Sequence, residues 1–149
     1  MFRVLNNNFF YLLLLIVGFR LFSLGLYPLT DTTEARYAEI ARIMFETGDW
    51  ITPYFDYDIP FWGKPPLSFW LTAFSFKVFG VTEFAARFPS WLCGVVILWL
   101  LSISAKTLKL KNNYLSVVIL ASTMVFFVVL GGVMTEASLM LGIVLSMVS

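Results

Sequence analysis

The 149-residue chain has no histidine and a single cysteine, Cys93. Without histidine it supplies no imidazole metal ligand, no Ser-His-Asp triad and no histidine general base. A divalent metal held by carboxylates alone stays open. One cysteine excludes an intramolecular disulfide, and a lone thiol inside an apolar run reads as a small core residue. Charge is scarce too: 13% of residues are charged and the formal net charge is +1. That leaves no polybasic surface for nucleic acid. Internal repeats and low-complexity tracts are also missing. What is present is 60% hydrophobic, with a mean hydropathy of +0.87. A soluble domain of this size needs a polar surface that this composition does not provide, so the chain reads as an integral membrane protein of all-α class.

Four apolar runs carry that reading: residues 9–26, 90–107, 114–133 and 137–149. At about 1.5 Å per residue the first nearly crosses a hydrocarbon core of roughly 30 Å. It is long for a signal-peptide core, and no A-x-A-like cleavage site follows it. Arg20, near its far end, is read as snorkelling or facing a partner helix. The second run is entered through Phe88-Pro89. Between the second and third lies "KTLKLKNN", a purely basic loop with Lys106, Lys109 and Lys111, which reads as cytoplasmic by the positive-inside rule. Two crossings back, the N-terminus with Arg3 is cytoplasmic as well, and residues 30–89 lie outside. Eight of the nine acids fall in that external segment, and the ninth, Glu136, follows the third run on the same side. The fourth run covers only about 20 Å, so the expectation is a span cut in mid-helix and a chain that is the N-terminal part of a larger membrane domain.

Within the external segment, residues 34–46 read as an amphipathic helix. Tyr37, Ile40, Ala41, Met44 and Phe45 share one face, and Glu39, Arg42 and Glu46 share the other at pairing distance. Such a helix suits the membrane surface. Gly48 is placed to end it. An extended stretch, "ITPYFDYDIPFWGKPP", follows. Then "LSFWLTAFSFKVFG" reads as a second helix, too short to span and therefore interfacial.

Four positions attract a functional reading, each beside a plainer one. Asp31-x-x-Glu34 has the spacing of a capping box, and equally of a carboxylate mounted on a rigid helix start as a general base. Lys64 in "WGKPP" is either a solvated lysine or, among Phe61, Trp62, Phe69 and Trp70, a cation for a lipid phosphate. Arg36 is either one half of a surface ion pair or a bidentate fork for the same anion. Glu136 in "GGVMTEASL" is either a first-turn acid behind a Thr135 cap or a functional acid close to hydrocarbon.

"TEARYAEIARIMFETGDWITPYF", "FWGKPPLSFW" and "FGVTEFAARFPS" resemble the first external loop of bacterial polyprenyl-phosphate-sugar-dependent glycosyltransferases. These are the aminoarabinose transferase and protein O-mannosyltransferase-like enzymes of the C-type glycosyltransferase fold. The resemblance covers roughly residues 9–149. It implies a multi-pass helical bundle of the bacterial inner membrane, with interfacial helices in its first external loop. It also implies an enzyme that passes a sugar from a lipid-phosphate carrier to lipid A, a protein or another envelope acceptor. By the same resemblance the catalytic candidates are Asp31, Glu34 and Glu136, and the substrate-binding candidates are Arg36, Tyr37 and Lys64. Alignment on R-Y-A-E-I sets Thr33 where the family carries its first acid and Glu34 at its second. Asp31 lies two residues before Thr33 and is favoured as the base, with Glu34 the alternative. Lys64 matches the K-P lysine, with Gly63 replacing a common Glu, and Glu136 stands where Asp is usual. The competing class is a non-catalytic membrane protein, either an inactive remnant or a lipid-carrier-binding subunit. A small transporter fits less well, because the acids sit in loops rather than mid-helix.

Overall fold

Residues 2–108 and 113–148 are described by a computed structural model, with side chains for 8–108 and 114–148. Lys109, Lys111 and Asn112 of the basic loop, and the Arg3 side chain, lie outside what is described. The elements are α1 (Phe2–Ser23), α2 (Thr32–Thr47), β1 (Tyr54–Asp56), β2 (Ile59–Pro60), α3 (Leu67–Phe79), α4 (Glu83–Thr107), α5 (Asn113–Ser122), α6 (Met124–Val129) and α7 (Glu136–Val148). The chain is helical except for one small antiparallel hairpin, in which Tyr54 pairs with Pro60 and Asp56 with Ile59. The stretch expected to be merely extended folds back on itself there.

The helix limits depart from the expected runs for local reasons. α1 stops at Ser23, where the Ser23 hydroxyl bonds back to the Arg20 carbonyl at 2.8 Å. α4 begins at Glu83, seven residues before the expected 90, because Thr82 caps it. The Thr82 side chain accepts the Ala85 N–H at 3.2 Å, and Glu83 lies in the dipole-favoured first turn. Pro89 then falls inside the helix, at the loss of one backbone hydrogen bond. The expected single span 114–133 is two helices. Thr123 sits in an extended conformation, and the Ser122 and Thr123 hydroxyls turn back onto the carbonyls of Ile119 and Leu120. Hydroxyls in such positions compete with the helix ladder.

Among the described residues one helix, Glu83–Thr107, is long and apolar enough to cross a membrane. The apolar stretches Asn8–Ser23, Leu67–Phe79 and Glu136–Val148 are shorter.

Two apolar clusters share α4 as their common wall. One joins Ile40, Ala41 and Met44 of α2 to Phe69, Ala73 and Phe76 of α3, Ala85 and Ala86 of α4, and Val133. The other joins Ile97 and Leu98 of α4 to Val117 and Ala121 of α5, Phe126 and Leu130, with Leu13, Ile16 and Val17 of α1 partly buried against it. Removing a fully buried ring such as Phe69 from a cluster of this kind costs about 3–5 kcal/mol. α4 and α6 approach closely at Gly94, where a Cβ would overlap the Leu130 side chain. α2 carries its expected faces: Ile40, Ala41 and Met44 are buried, Arg42 bridges Glu39 and Glu46, and Gly48 ends the helix at φ 71°.

Candidate functional site

Asp31 caps α2 from an extended backbone. Its Oδ1 accepts the Thr33 N–H at 2.9 Å, and its carbonyl accepts the Ala35 N–H at 2.9 Å. The carboxylate is exposed, and among the described residues Oδ2 accepts no bond.

Glu34 does not complete the capping box. It turns inward from the first turn of α2 and is buried against Arg87 of α4. Arg87 Nε donates to Oε1 and Nη2 to Oε2, each at 3.0 Å. The remaining donors of Arg87 reach the carbonyls of Leu24, Tyr27 and Pro28 at 2.8, 2.7 and 3.1 Å. All five N–H groups of the guanidinium are therefore used. Its plane also lies 3.9 Å from the centre of the Tyr27 ring. Glu34 Oε1 accepts one further bond, from the Val133 N–H at 2.9 Å. A single buried ion pair thus ties together the end of α1, the start of α2, α4 and the turn leading into α7.

That turn delivers the second acid. Glu136 is the first residue of α7, and its Oε1 meets Lys64 Nζ at 3.4 Å, with the Lys64 and Glu136 side chains 39% and 51% exposed. Lys64 and Glu136, 72 residues apart, stand at the head of a groove of about 410 Å³ whose walls include Pro65, Leu67, Leu139, Gly142 and Ile143. The groove joins one ion pair to an apolar stripe running along α7.

The other two candidates sit apart from this pair. Arg36 is exposed, with its guanidinium 5.5 Å from the centre of the Phe55 ring in the hairpin. Tyr37 is half-buried, packing edge-on against Phe69 at 5.7 Å and beside Phe61 at 6.3 Å. It also lines a small recess with Ser68, Val133, Ala137 and Ser138. Among the described residues no hydrogen bond or ion pair joins Asp31 or Arg36 to Lys64 or Glu136. No group of three Cys, Asp or Glu residues able to hold a metal forms among them either.

Sequence reasoning missed Arg87. The available signal was an arginine in "FAARFPS" at the mouth of an apolar run, where an unpaired charge is costly. Arg20, by contrast, faces partner elements. Its guanidinium lies 4.8 Å from the centre of the Phe127 ring and 5.9 Å from that of Tyr27. It occupies the space that a side chain at Gly131 would need.

The profile of the family described as dolichyl-phosphate-mannose-protein mannosyltransferase matches residues 8–149. Over 90 residues the chain is 39% identical to the undecaprenyl phosphate-alpha-4-amino-4-deoxy-L-arabinose arabinosyl transferase of Aeromonas hydrophila subsp. hydrophila, covering 58% of this chain and 16% of that protein. Over 102 residues it is 38% identical to the protein of the same name from Yersinia pestis (strain Pestoides F), covering 66% of this chain and 17% of that protein. The matched stretch thus spans about one sixth of the length of these curated relatives. No solved structure matches.

Proposed function

The chain belongs to the dolichyl-phosphate-mannose-protein mannosyltransferase family, and from that premise we propose that it is the donor-binding part of a membrane glycosyltransferase. Its donor is a sugar on a polyprenyl phosphate. Its acceptor is lipid A, a protein or another component of the bacterial envelope. The observation that carries the reading is the groove headed by Lys64 and Glu136. A cation above an apolar stripe fits an amphiphile with a phosphate head and a hydrocarbon tail.

In this reading the chain crosses the inner membrane several times, with residues 31–87 on the external side. The acceptor's hydroxyl or equivalent group attacks the sugar's anomeric carbon, and the bond from that carbon to the phosphate oxygen breaks. The phosphate leaves with its charge held by Lys64, and the acceptor's proton goes to Asp31. Asp31 is preferred to Glu34 because its carboxylate is exposed with one oxygen unbonded, whereas both oxygens of Glu34 are engaged by Arg87 and Val133. Arg36 and Tyr37, on the turn of α2 that follows, are the remaining substrate-binding residues of this reading.

The test compares cells with and without the gene by mass spectrometry of lipid A and envelope glycoproteins. A sugar-sized mass gain that requires the gene supports the proposal. Identical spectra for every acceptor class would sink it.

A further inference from the structure

The two glutamates of this site are held in opposite ways. Glu34 is sealed: its partner Arg87 is 0% exposed, and three N–H donors fill its oxygens. Glu136 makes one 3.4 Å contact to a lysine, with both side chains substantially exposed beside an open groove. An exposed monodentate pair of this kind contributes little stability.

We propose that Glu136 is a displaceable counter-ion, which neutralises Lys64 while the groove is empty and gives it up to the phosphate of an entering lipid. The proposal rests on the reading of Lys64 as the phosphate cation. A donor phosphodiester carries one negative charge, so it replaces the carboxylate like for like and Lys64 is never left uncompensated. The displaced carboxylate is not stranded either. Glu136 opens α7, where the exposed N–H groups and the helix dipole favour an anion. The consequence is selectivity. A neutral lipid can fill the apolar stripe, but it offers nothing to exchange for Glu136, and the ion pair stays closed across the head of the groove.

The experiment is a titration of the purified protein in detergent with undecaprenyl phosphate, a phosphomonoester that carries at least the one negative charge of the donor's phosphodiester, for wild type, Glu136→Gln, Lys64→Ala and the double variant. Glu136→Gln should bind about two- to fivefold more tightly, as expected for removing an exposed competing partner. The gain should vanish in the Lys64→Ala background. Unchanged or weaker binding by Glu136→Gln, with Lys64→Ala impaired, overturns the counter-ion role and leaves the phosphate reading intact. Unchanged binding by Lys64→Ala overturns the phosphate reading itself. Should Glu136→Gln lower the melting temperature, Glu136→Asp replaces it with the same expectation, because it keeps the charge at the helix start and shortens its reach.

Discussion

Arg87 holds both carboxylate oxygens of Glu34 at 3.0 Å in a pair almost wholly removed from water. Such a pair adds little against a well-packed apolar substitute, but breaking one side strands a buried charge. Arg87→Met should therefore cost about 3–5 kcal/mol. Glu34→Met combined with Arg87→Met should recover only part of that loss, because the carbonyls of Leu24, Tyr27 and Pro28 and the Val133 N–H lose their partners. Chemical unfolding in detergent measures both, and a single-variant loss below about 1 kcal/mol would contradict the buried geometry.

Asp31 separates its capping role from a catalytic one. Asparagine keeps an oxygen for the Thr33 N–H, so the stability change of Asp31→Asn should stay well under about 2 kcal/mol. Asparagine cannot take a proton, and turnover should fall by at least about 10²-fold. Glu34→Gln is the contrast: it should lose stability and activity together. If Glu34→Gln kept its melting temperature and lost turnover while Asp31→Asn stayed active, the base would be Glu34.

Gly131 and Gly142 form a matched pair of substitutions. A Cβ at Gly131 would overlap the Arg20 guanidinium, whereas a Cβ at Gly142 meets nothing within 4 Å. Gly131→Ala should destabilise by about 1–3 kcal/mol. Gly142→Ala, inside α7, should be neutral or stabilising by up to about 1 kcal/mol. Equal melting temperatures for the two variants would show that Arg20 does not fill the space at Gly131.

Acid should loosen the far end of α2 first. The Arg42 hydrogen bond holds the Glu39 carboxyl below its ordinary value of 4.5, against a smaller opposing effect of burial. Backbone N–H groups of Thr52 and Ile51 likewise hold Asp49 below its ordinary 3.8. Lowered carboxyl values give a contribution that is complete above the ordinary value and lost as pH falls through the lowered one. Amide protection factors around residues 42–52, corrected for the intrinsic pH dependence of exchange, should therefore fall below about pH 4.5, and Glu39→Gln should flatten that dependence. A profile of the same steepness in the variant would remove Glu39 from the account.

Sidedness can be read by cysteine labelling in a Cys93→Ala background. Cysteine at Thr52 should react with an impermeant reagent from outside the cell, and cysteine at Thr107 only after permeabilisation. This follows from the separation of lysines and acids along the chain. Equal labelling of both positions in intact cells would reject the topology.

Local features were readable from the chain: the Asp31 cap, the Gly48 stop, the two faces of α2 and the short helix after Lys64. Each depends on neighbours within one or two turns. What escaped was decided by partners far along the chain. Asp31-x-x-Glu34 has capping-box spacing, yet only its first half forms, because the guanidinium of Arg87 outcompetes the N-cap amide for the Glu34 carboxylate. The 114–133 run looks uniform in hydropathy, but two hydroxyls at Ser122 and Thr123 suffice to divide it. Lys64 and Glu136 each stood out alone, and only tertiary packing set them face to face.

The wiring of Arg87 also bears on how the protein is made. The acid and the three carbonyls that it gathers lie 53 to 63 residues before it. During synthesis those groups emerge first and wait, the carboxylate without its cation and the carbonyls bonded to water. The segment before α4 lacks its wall and the cation for Glu34 until α4 arrives. Arg87 then joins three of the four pieces of chain at once, and the fourth closes when Val133, later in the chain, brings its N–H to Glu34.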